Sequence, residues 1–338
     1  MKIKKLIFLI TLISFLNENT KAQVFSGTTS AQFLKIELGA KSVAMGGAFV
    51  SQANDASALY WNPAGIAKLK ANAATFSHTD WLAETNLDFA GVIIQLNDQH
   101  SLGLSYTTLT MSDMPVRTEL YPEGTGEMFS ASDYALGLTY GMNVSNQFSI
   151  GFTAKYVGQN IWHMQSSTIA FDVGILYATD IQGLQLGMSV SNVGSKMRFD
   201  GKDNFVHYDY NPNEYGGNDK IFADLKMDEW DLPLLFRVGT SMKIVNTELH
   251  NFTISVDANH PNDYNEYINF GCEYGFRERI FFRGGYKSLF KNESEEGFAA
   301  GLGLVYYFTE TVPIKLDYAF ADFGRLKSVH RLSVEFNF

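Results

Sequence analysis

The sequence predicts an all-β protein, an antiparallel transmembrane β-barrel of about fourteen strands with an N-terminal plug, or hatch, segment. The first observation is that apolar and polar residues alternate along most of residues 71–338. In the last segment the apolar positions are Leu332, Val334, Phe336 and Phe338, and the polar positions are Arg331, Ser333, Glu335 and Asn337. A period of two is the pattern of a strand with one apolar and one polar face.

The second observation is the spacing of these segments. Each is close to the 9 to 11 residues that a tilted membrane strand needs. They are predicted to begin near Ala73, Leu87, Ser101, Asp133, Gln147, Thr168, Leu184, Leu232, Asn251, Glu266, Arg279, Gly297, Pro313 and Ser328.

The third observation is that loop length depends on strand parity. Connections after even strands are predicted to be short, and those after odd strands include the longer stretches 111–130, 161–167, 195–231 and 289–296. A soluble sandwich alternates as well, but it has no reason to sort its loops in this way. Trp81, Trp162 and Trp230 fall at the long-loop ends, where an aromatic belt is expected.

The first residues predict export. Lys2, Lys4 and Lys5 precede an apolar core at 6–16, and Lys21-Ala22-Gln23 offers a small residue for cleavage. We therefore expect a signal peptide at 1–22, a plug at 23–70 and the barrel at 71–338. No run of about 18 or more apolar residues follows, so any membrane span must be built of strands.

The chain terminus predicts the destination. Phe336 and Phe338 place aromatic residues at the end of the last strand, which is typical of an assembly signal of bacterial outer-membrane barrels. We expect the outer membrane of a Gram-negative bacterium, with contacts to its lipid and lipopolysaccharide.

Composition excludes several function classes. A net charge of -10 makes nucleic acid an unsuitable partner. The single Cys272 cannot form an internal disulfide, and the seven histidines lack the paired spacing of a metal site. No local motif predicts a nucleophile with its base, although a triad assembled from distant strands stays open. We expect no metal, no cofactor and no enzymatic activity.

The inward positions of the predicted strands describe the lumen. Their charges are mixed in sign and can pair: Lys155, Asp172, Arg237, Asp257, Glu273, Arg283, Lys315, Asp317, Arg331 and Glu335. Many glycines accompany them, and glycine weakens a strand unless another backbone approaches closely. The sequence therefore predicts an occupied lumen, with residues 23–70 as the occupant.

The plug segment is rich in small residues and ends in a predicted turn. Pro63 and Gly65 favour the turn, and Asn62 can hydrogen-bond its own backbone there. Asp55 or Ser57 could cap a short helix through Tyr60. The glycine pair Gly46-Gly47 lacks the preceding strand and the Gly-Lys-Ser/Thr of a phosphate-binding loop.

This segment resembles the N-terminal signature of the PorV/PorQ family of Bacteroidetes outer-membrane proteins, within the FadL-like barrel group. The matching residues are Gly39, Ala40, Ser42, Ala44, Met45, Gly46, Gly47, Ala48, Asp55, Ala56, Ser57, Ala58, Trp61, Asn62, Pro63, Ala64 and Gly65. The resemblance implies a hatch inside a fourteen-stranded barrel. It also implies a role in type IX secretion, in which the protein binds the translocon, the C-terminal domains of secreted cargo, or both.

The alternative to a role in secretion is FadL-like uptake of hydrophobic molecules, which requires a continuous apolar pocket. The inward Val157, Leu176, Leu235, Val305 and Tyr307 supply only scattered candidates for it. The loop 195–231 is acidic and aromatic, but its spacing does not match a calcium loop, so protein contact is the favoured interpretation.

Overall fold

The structure is a computed structural model that describes residues 27–181, 183–209, 213, 221–291, 294–309 and 312–338. The predicted signal peptide and Gln23 lie outside the described residues. The division of the chain at residue 70 stays a prediction.

Fourteen antiparallel strands form a closed barrel, which confirms the predicted fold class. Each strand pairs with the next one along the chain, and β14 closes on β1, where Asn337 lies opposite Ala73. The strands are β1 (Ala73–Asp80), β2 (Thr85–Gln95), β3 (His100–Met111), β4 (Ala131–Asn143), β5 (Phe148–Ile161), β6 (Met164–Ala178), β7 (Leu184–Gly194), β8 (Leu235–Asn246), β9 (His250–Pro261), β10 (Tyr267–Phe276), β11 (Ile280–Leu289), β12 (Phe298–Thr309), β13 (Val312–Asp322) and β14 (Ser328–Asn337).

Alternation along each strand decides which side chains enter the lumen. On β5, for example, Phe152 and Tyr156 are exposed on the outer wall, whereas Thr153 and Val157, each one position later, are buried. All predicted strand starts lie within four residues of the observed ones. None of the helices in the described part of the chain is long and apolar enough to cross a membrane.

Loop lengths follow strand parity only in part. The connections 112–130 and 195–234 are long, and they define what we call the long-loop end; the opposite end is the short-turn end. The predicted loop 161–167 is wrong, because β5 and β6 extend to Ile161 and Met164 and leave a two-residue turn in which Trp162 has a φ of 52°. Gln165, Ser166 and Ser167 are polar because they lie beyond the apolar band, yet they continue to pair with β5.

Loop 195–234 has structure of its own. Asp200–Gly201 pairs with the start of β6, and Phe205–Tyr208 pairs with Ile221–Asp224 as a hairpin. The tip of that hairpin lies largely outside the described residues. Trp162 and Trp230 are exposed at the long-loop end. Trp81 is not part of an outward belt, because its ring packs edge-on against Phe323, with the ring centroids 5.3 Å apart.

The N-terminal segment, residues 27–72, runs inside the barrel from the long-loop end to the short-turn end. Near its start, the Ser30 N–H donates to the Asp231 carbonyl over 2.9 Å. It then forms a 3₁₀ turn (Gln32–Lys35), helices α1 (Ala40–Ala44) and α2 (Ala58–Trp61), and a second 3₁₀ turn (Pro63–Lys68). Its residues Ala40, Ala44, Ala48, Phe49 and Ile66 have no exposed surface, so it fills the lumen as a packed core.

The terminal strand carries the first testable prediction. The Phe336 and Phe338 side chains are exposed on the outer wall, and the Phe338 N–H donates to the Asn72 carbonyl. We expect Phe338→Asp to reduce the amount of inserted barrel several-fold, because it removes the aromatic terminus and places charge near lipid. Heat-modifiable migration on gels measures the folded amount. Asn337→Asp, one residue earlier, is the control, and equal insertion of both variants would contradict an assembly role.

Candidate functional site

The contact between the N-terminal segment and the barrel wall is the candidate site. Glycines on five strands leave room for this segment, four of them for its backbone and Gly174 for the Asn62 side chain. A β-carbon at each would meet the segment within 2.4 Å: Gly151 at Pro63, Gly174 at Asn62, Gly187 at Val50, Gly271 at Met45 and Gly285 at Gly46. The wall is therefore shaped to this particular backbone path.

The turn at Asn62-Pro63 holds the segment to the wall of β6. The Asn62 side chain is fully buried; its Oδ1 accepts from the Ala64 N–H, and its Nδ2 donates to the carbonyls of Val50 and Ile175 over 2.8 and 3.0 Å. Pro63 opens the following 3₁₀ turn, a position where no N–H is needed. A β-carbon at Gly65 would lie 2.2 Å from the Ala53 carbonyl oxygen.

Asp55 does not cap α2 as predicted. The helix starts after Ser57, which makes no side-chain capping bond, and Asp55 Oδ1 instead accepts from the Ser57 N–H and hydroxyl. These bonds fix the turn that leads into the helix. Trp61, at the end of α2, donates its indole N–H to the Leu38 carbonyl over 2.8 Å.

The small residues after α1 turn the chain against β11. Gly46 and Gly47 adopt φ values of 64° and 73°, which suit glycine. Met45 is completely buried and packs with Phe49 and Trp61. At the start of the helix, Gly39 has a φ of 87°, and Ala44 lies in a cluster with Ala299 and Ala319 of the wall.

Five of the ten lumen charges meet at the short-turn end. Arg283 Nε lies 2.6 Å from Glu273 and its Nη1 lies 2.5 Å from Asp317, so one guanidinium joins β10, β11 and β13. Lys315 lies 2.6 Å from Glu335. Glu335 also accepts from the Ala56 N–H over 2.7 Å, which links this cluster to the N-terminal segment.

Three more charges contact the N-terminal segment or its neighbours midway along the lumen. Asp257 Oδ2 accepts from the N–H groups of Phe49 and Val50 over 2.7 and 2.8 Å. The Arg237 guanidinium lies 5.3 and 5.1 Å from the ring centroids of Tyr60 and Trp61. Arg331 is placed differently: its guanidinium covers the Trp81 ring at 5.3 Å, and its Nε donates to Thr79.

The last pair, Lys155 and Asp172, lies 2.8 Å apart beside a β-bulge that the sequence did not reveal. The bulge places Asn192, with a φ of 67°, opposite Asp172. Its N–H donates to Asp172, and its Oδ1 accepts from Lys155 over 2.5 Å. No local pattern distinguishes Asn192 from its neighbours, so sequence reasoning missed it.

A second group was missed although its pattern was visible. Lys287 is inward on β11 and bridges Glu37 of the N-terminal segment, at 3.3 Å, and Glu296, at 2.6 Å. Its position in the alternation of β11 places it on the same face as Arg283 and Gly285. Alternation alone could therefore have identified it as a lumen charge.

Several cavities adjoin the N-terminal segment. One of about 320 Å³ opens near the short turns, and its lining combines charged side chains such as Lys41, Asp55 and Lys243 with Phe281 and Val305. Another of about 30 Å³ lies between Phe33, Leu38 and Leu59 of the segment and the wall of β2 to β6. Within the described residues, no cluster of three or more His, Cys, Asp or Glu side chains could hold a metal ion.

Asp263, in the connection between β9 and β10, fastens the start of the segment at the long-loop end. Its buried carboxylate accepts from Thr29 over 2.7 Å and from Gln32 over 2.9 Å, and it pairs with Lys35 at 2.7 Å. Burial acts to raise the pKa of Asp263, but the hydrogen bonds from Gln32, Lys35 and Thr29 outweigh it, so the pKa lies below its usual value.

A pH prediction follows for this attachment. A depressed carboxyl pKa stabilises the folded state above the unfolded pKa of about 4, and this contribution disappears as pH falls through the folded pKa. We expect Asp263→Asn to speed hydrogen exchange at residues 29–36 at neutral pH. The unchanged protein should approach the exchange rates of that variant as the pH falls below the unfolded pKa of about 4 and through the lower folded pKa. Asp231→Asn is the control, because Ser30 uses only the Asp231 carbonyl. Equal exchange in both variants would refute the attachment.

Comparisons with known proteins agree on the fold. The solved CymD monoaromatic hydrocarbon channel is 13% identical with a TM-score of 0.57 and covers 89% of this chain and 96% of its own. The toluene transporter TodX of P. putida is 11% identical (TM-score 0.55; 89% and 98% covered), and a FadL homologue of Pseudomonas aeruginosa is 12% identical (TM-score 0.52; 94% and 100% covered). No curated protein sequence matches the chain.

The family match is more specific than these structural likenesses. The model for "Type IX secretion system protein PorV" matches residues 18–229, which is more than half of the 338 residues. This range includes the whole N-terminal segment and β1 to β7. Family and fold are those of a transport or secretion barrel rather than of an enzyme. The chain is an outer-membrane protein that belongs to the PorV family of type IX secretion proteins.

Proposed function

We propose that the protein serves type IX secretion as a binding subunit without catalysis, which contacts the translocon, the C-terminal domains of secreted cargo, or both. The observation that carries the proposal is the apolar surface of the two long loops, which lie on the external side in an outer-membrane barrel. Leu120 in loop 112–130 is 86% exposed, and Phe222 in the hairpin of loop 195–234 is 75% exposed.

These side chains are grouped rather than scattered. Tyr121 neighbours Leu120, and Phe205 and Tyr208 lie on the strand that pairs with the Phe222 strand. Single exposed apolar residues are ordinary on protein surfaces, but aromatic groups on loops are the typical anchors of protein interfaces. Above the membrane these groups have no lipid to cover them. A protein partner is therefore the favoured occupant.

The alternative is uptake of hydrophobic molecules, as implied by the FadL-like fold. Pockets for small ligands usually measure several hundred Å³ and are mostly apolar. The apolar cavity beside Phe33 and Leu59 measures about 30 Å³, and the cavity of about 320 Å³ has a mixed lining in which charged side chains such as Lys41 and Lys243 accompany the apolar ones. Val157 and Leu176 belong to separate buried clusters, whereas Val305 and Tyr307 line the cavity near the short turns, so the inward apolar residues do not all share one pocket. These observations favour a protein-binding role over the uptake of hydrophobic molecules.

The experiment replaces the loop anchors. Leu120→Ser with Tyr121→Ser, and Phe205→Ser with Phe222→Ser, should lower the secretion of cargo with a C-terminal domain about tenfold or more, as expected for interface anchors. Ile181→Ser changes an equally apolar, exposed side chain at the short-turn end and should leave secretion unchanged. Cargo in the medium and translocon co-purified with the barrel are measured at matched barrel levels. Full secretion and full co-purification by both loop variants would refute the proposal.

A further inference from the structure

On the outer wall the apolar band is lower on β1 and β2, beside the seam where β14 meets β1, than on β5, whereas β14 itself keeps Leu332, Val334 and Phe336 outward. Outward apolar side chains on β5 number five: Phe148, Ile150, Phe152, Ala154 and Tyr156. Those on β1 number two, Ala74 and Phe76, and those on β2 number three, Ala90, Val92 and Ile94. β1 pairs with β14 and with β2 along its whole length. The lower apolar band therefore reflects the polarity of the outward side chains and not a break in the barrel wall.

A polar cluster replaces the apolar side chains at the seam. His78 Nδ1 lies 2.7 Å from Asp88 Oδ1, and His78 Nε2 lies 3.4 Å from Asp80 Oδ1. All three face outward, with 44%, 31% and 80% of the side chain exposed for His78, Asp88 and Asp80. In register, Asp80 lies opposite His330 of β14, which extends the polar surface across the seam.

The height of this cluster places it within the membrane band. A strand rises about 3.3 Å per residue, and with a tilt of 35–45° His78 lies about 13 Å and Asp80 about 18 Å above Ala73 at the short-turn end. The apolar band of an outer-membrane barrel is about 25 Å tall. On β5 the corresponding heights carry Phe152, Ala154 and Tyr156. Lipid tails would therefore meet two carboxylates at the seam, which is unfavourable.

We propose that the seam β14–β1–β2 is a protein-contacting sector, covered by a second integral outer-membrane protein that places a Lys or Arg side chain against Asp80 and Asp88. Two carboxylates share one imidazole, so the cluster offers negative charge to a cationic group. A second copy of this chain would bring carboxylates to carboxylates around a twofold axis, so the partner is a different protein. The inference deepens the proposed function by naming the membrane face that meets the translocon.

A photo-reactive side chain can test which molecule covers the wall. A benzoylphenylalanine at Phe76 reports on the seam, and the same replacement at Phe152 on β5 is the matched control, because both side chains are exposed on the outer wall. In native cells we expect a discrete protein adduct from position 76 and lipid adducts alone from position 152. Peptide mapping of the adduct should locate a Lys or Arg in a membrane strand of the partner.

Charge reversal tests the chemistry of the contact. Asp80→Lys with Asp88→Lys should reduce the protein adduct at position 76 at least tenfold, whereas Asp98→Lys, in an exposed short turn, should not change it. Heat-modifiable migration checks that the variants fold, and the photo-reactive variants keep every charge of the seam. An adduct that persists after charge reversal would overturn the ionic contact.

Two other outcomes would overturn the inference in different ways. Adducts with lipid alone at both positions would show that the seam faces the bilayer. An adduct with lipid A that disappears when divalent cations are chelated would show a metal-bridged lipid phosphate instead. In both cases translocon that still co-purifies through the long loops would leave the proposed function standing, so the two failures are distinguishable.

Discussion

Removal of residues 39–65 should convert a nearly closed barrel into a conducting one. These residues include both helices and the Asn62-Pro63 turn, and their small side chains fill the lumen against wall glycines. Fourteen strands enclose more space than their own inward side chains fill, so a water-filled path should replace the segment. In planar bilayers we expect single-channel conductance to rise on the order of tenfold or more.

The control for this deletion removes residues 112–130, which lie outside the barrel at the long-loop end. That variant should conduct as little as the intact protein, because the lumen is unchanged. Heat-modifiable migration shows whether each variant is folded. Equal conductance of the intact protein and the 39–65 deletion would mean that the segment does not close the lumen, and the plug role would have to be abandoned.

Gly285→Val should displace the N-terminal segment without removing it. A β-carbon at Gly285 would lie 2.3 Å from both the Gly46 nitrogen and the Met45 carbonyl carbon, and these are backbone atoms that cannot rotate away. Gly46 is itself held at a φ of 64°, which restricts its adjustment. Overpacking of this kind costs about 1–3 kcal/mol. We expect the N-terminal segment to relieve part of this cost by moving away from the wall. We expect higher conductance and faster proteolysis within residues 27–72.

The neighbouring Gly284 is the matched control. It points to the outer wall, where the nearest atom to an added β-carbon is Cys272 Sγ at 3.9 Å. Gly284→Val should change stability by only about 0.5 kcal/mol and leave conductance unchanged. If Gly284→Val and Gly285→Val had the same effect, the β-propensity of valine on β11 would explain it. The contact of Gly285 with Gly46 would then not be what holds the segment in place.

Much of the wall was predictable because alternation is a local signal. A period of two assigns each residue of a strand to one face, which is why all ten predicted lumen charges are inward in the structure and why the fourteen strand starts are close to the observed ones. Polarity marks the edge of the membrane rather than the end of a strand. For that reason the pairing of polar residues of β5 and β6 above the band, such as Asn160 with Gln165, was missed.

Partners inside the lumen could not be predicted, because barrel closure decides which inward side chains meet. Arg283 joins Glu273 and Asp317 from strands on both sides, Asn192 reaches Lys155 through a bulge, and Asp257 receives two N–H groups of the N-terminal segment. Strand tilt and register set these distances, and neither is written in local periodicity. The sequence by itself determined the strands and their faces; the tertiary structure alone decided the contacts across the lumen, since they join residues far apart in the chain.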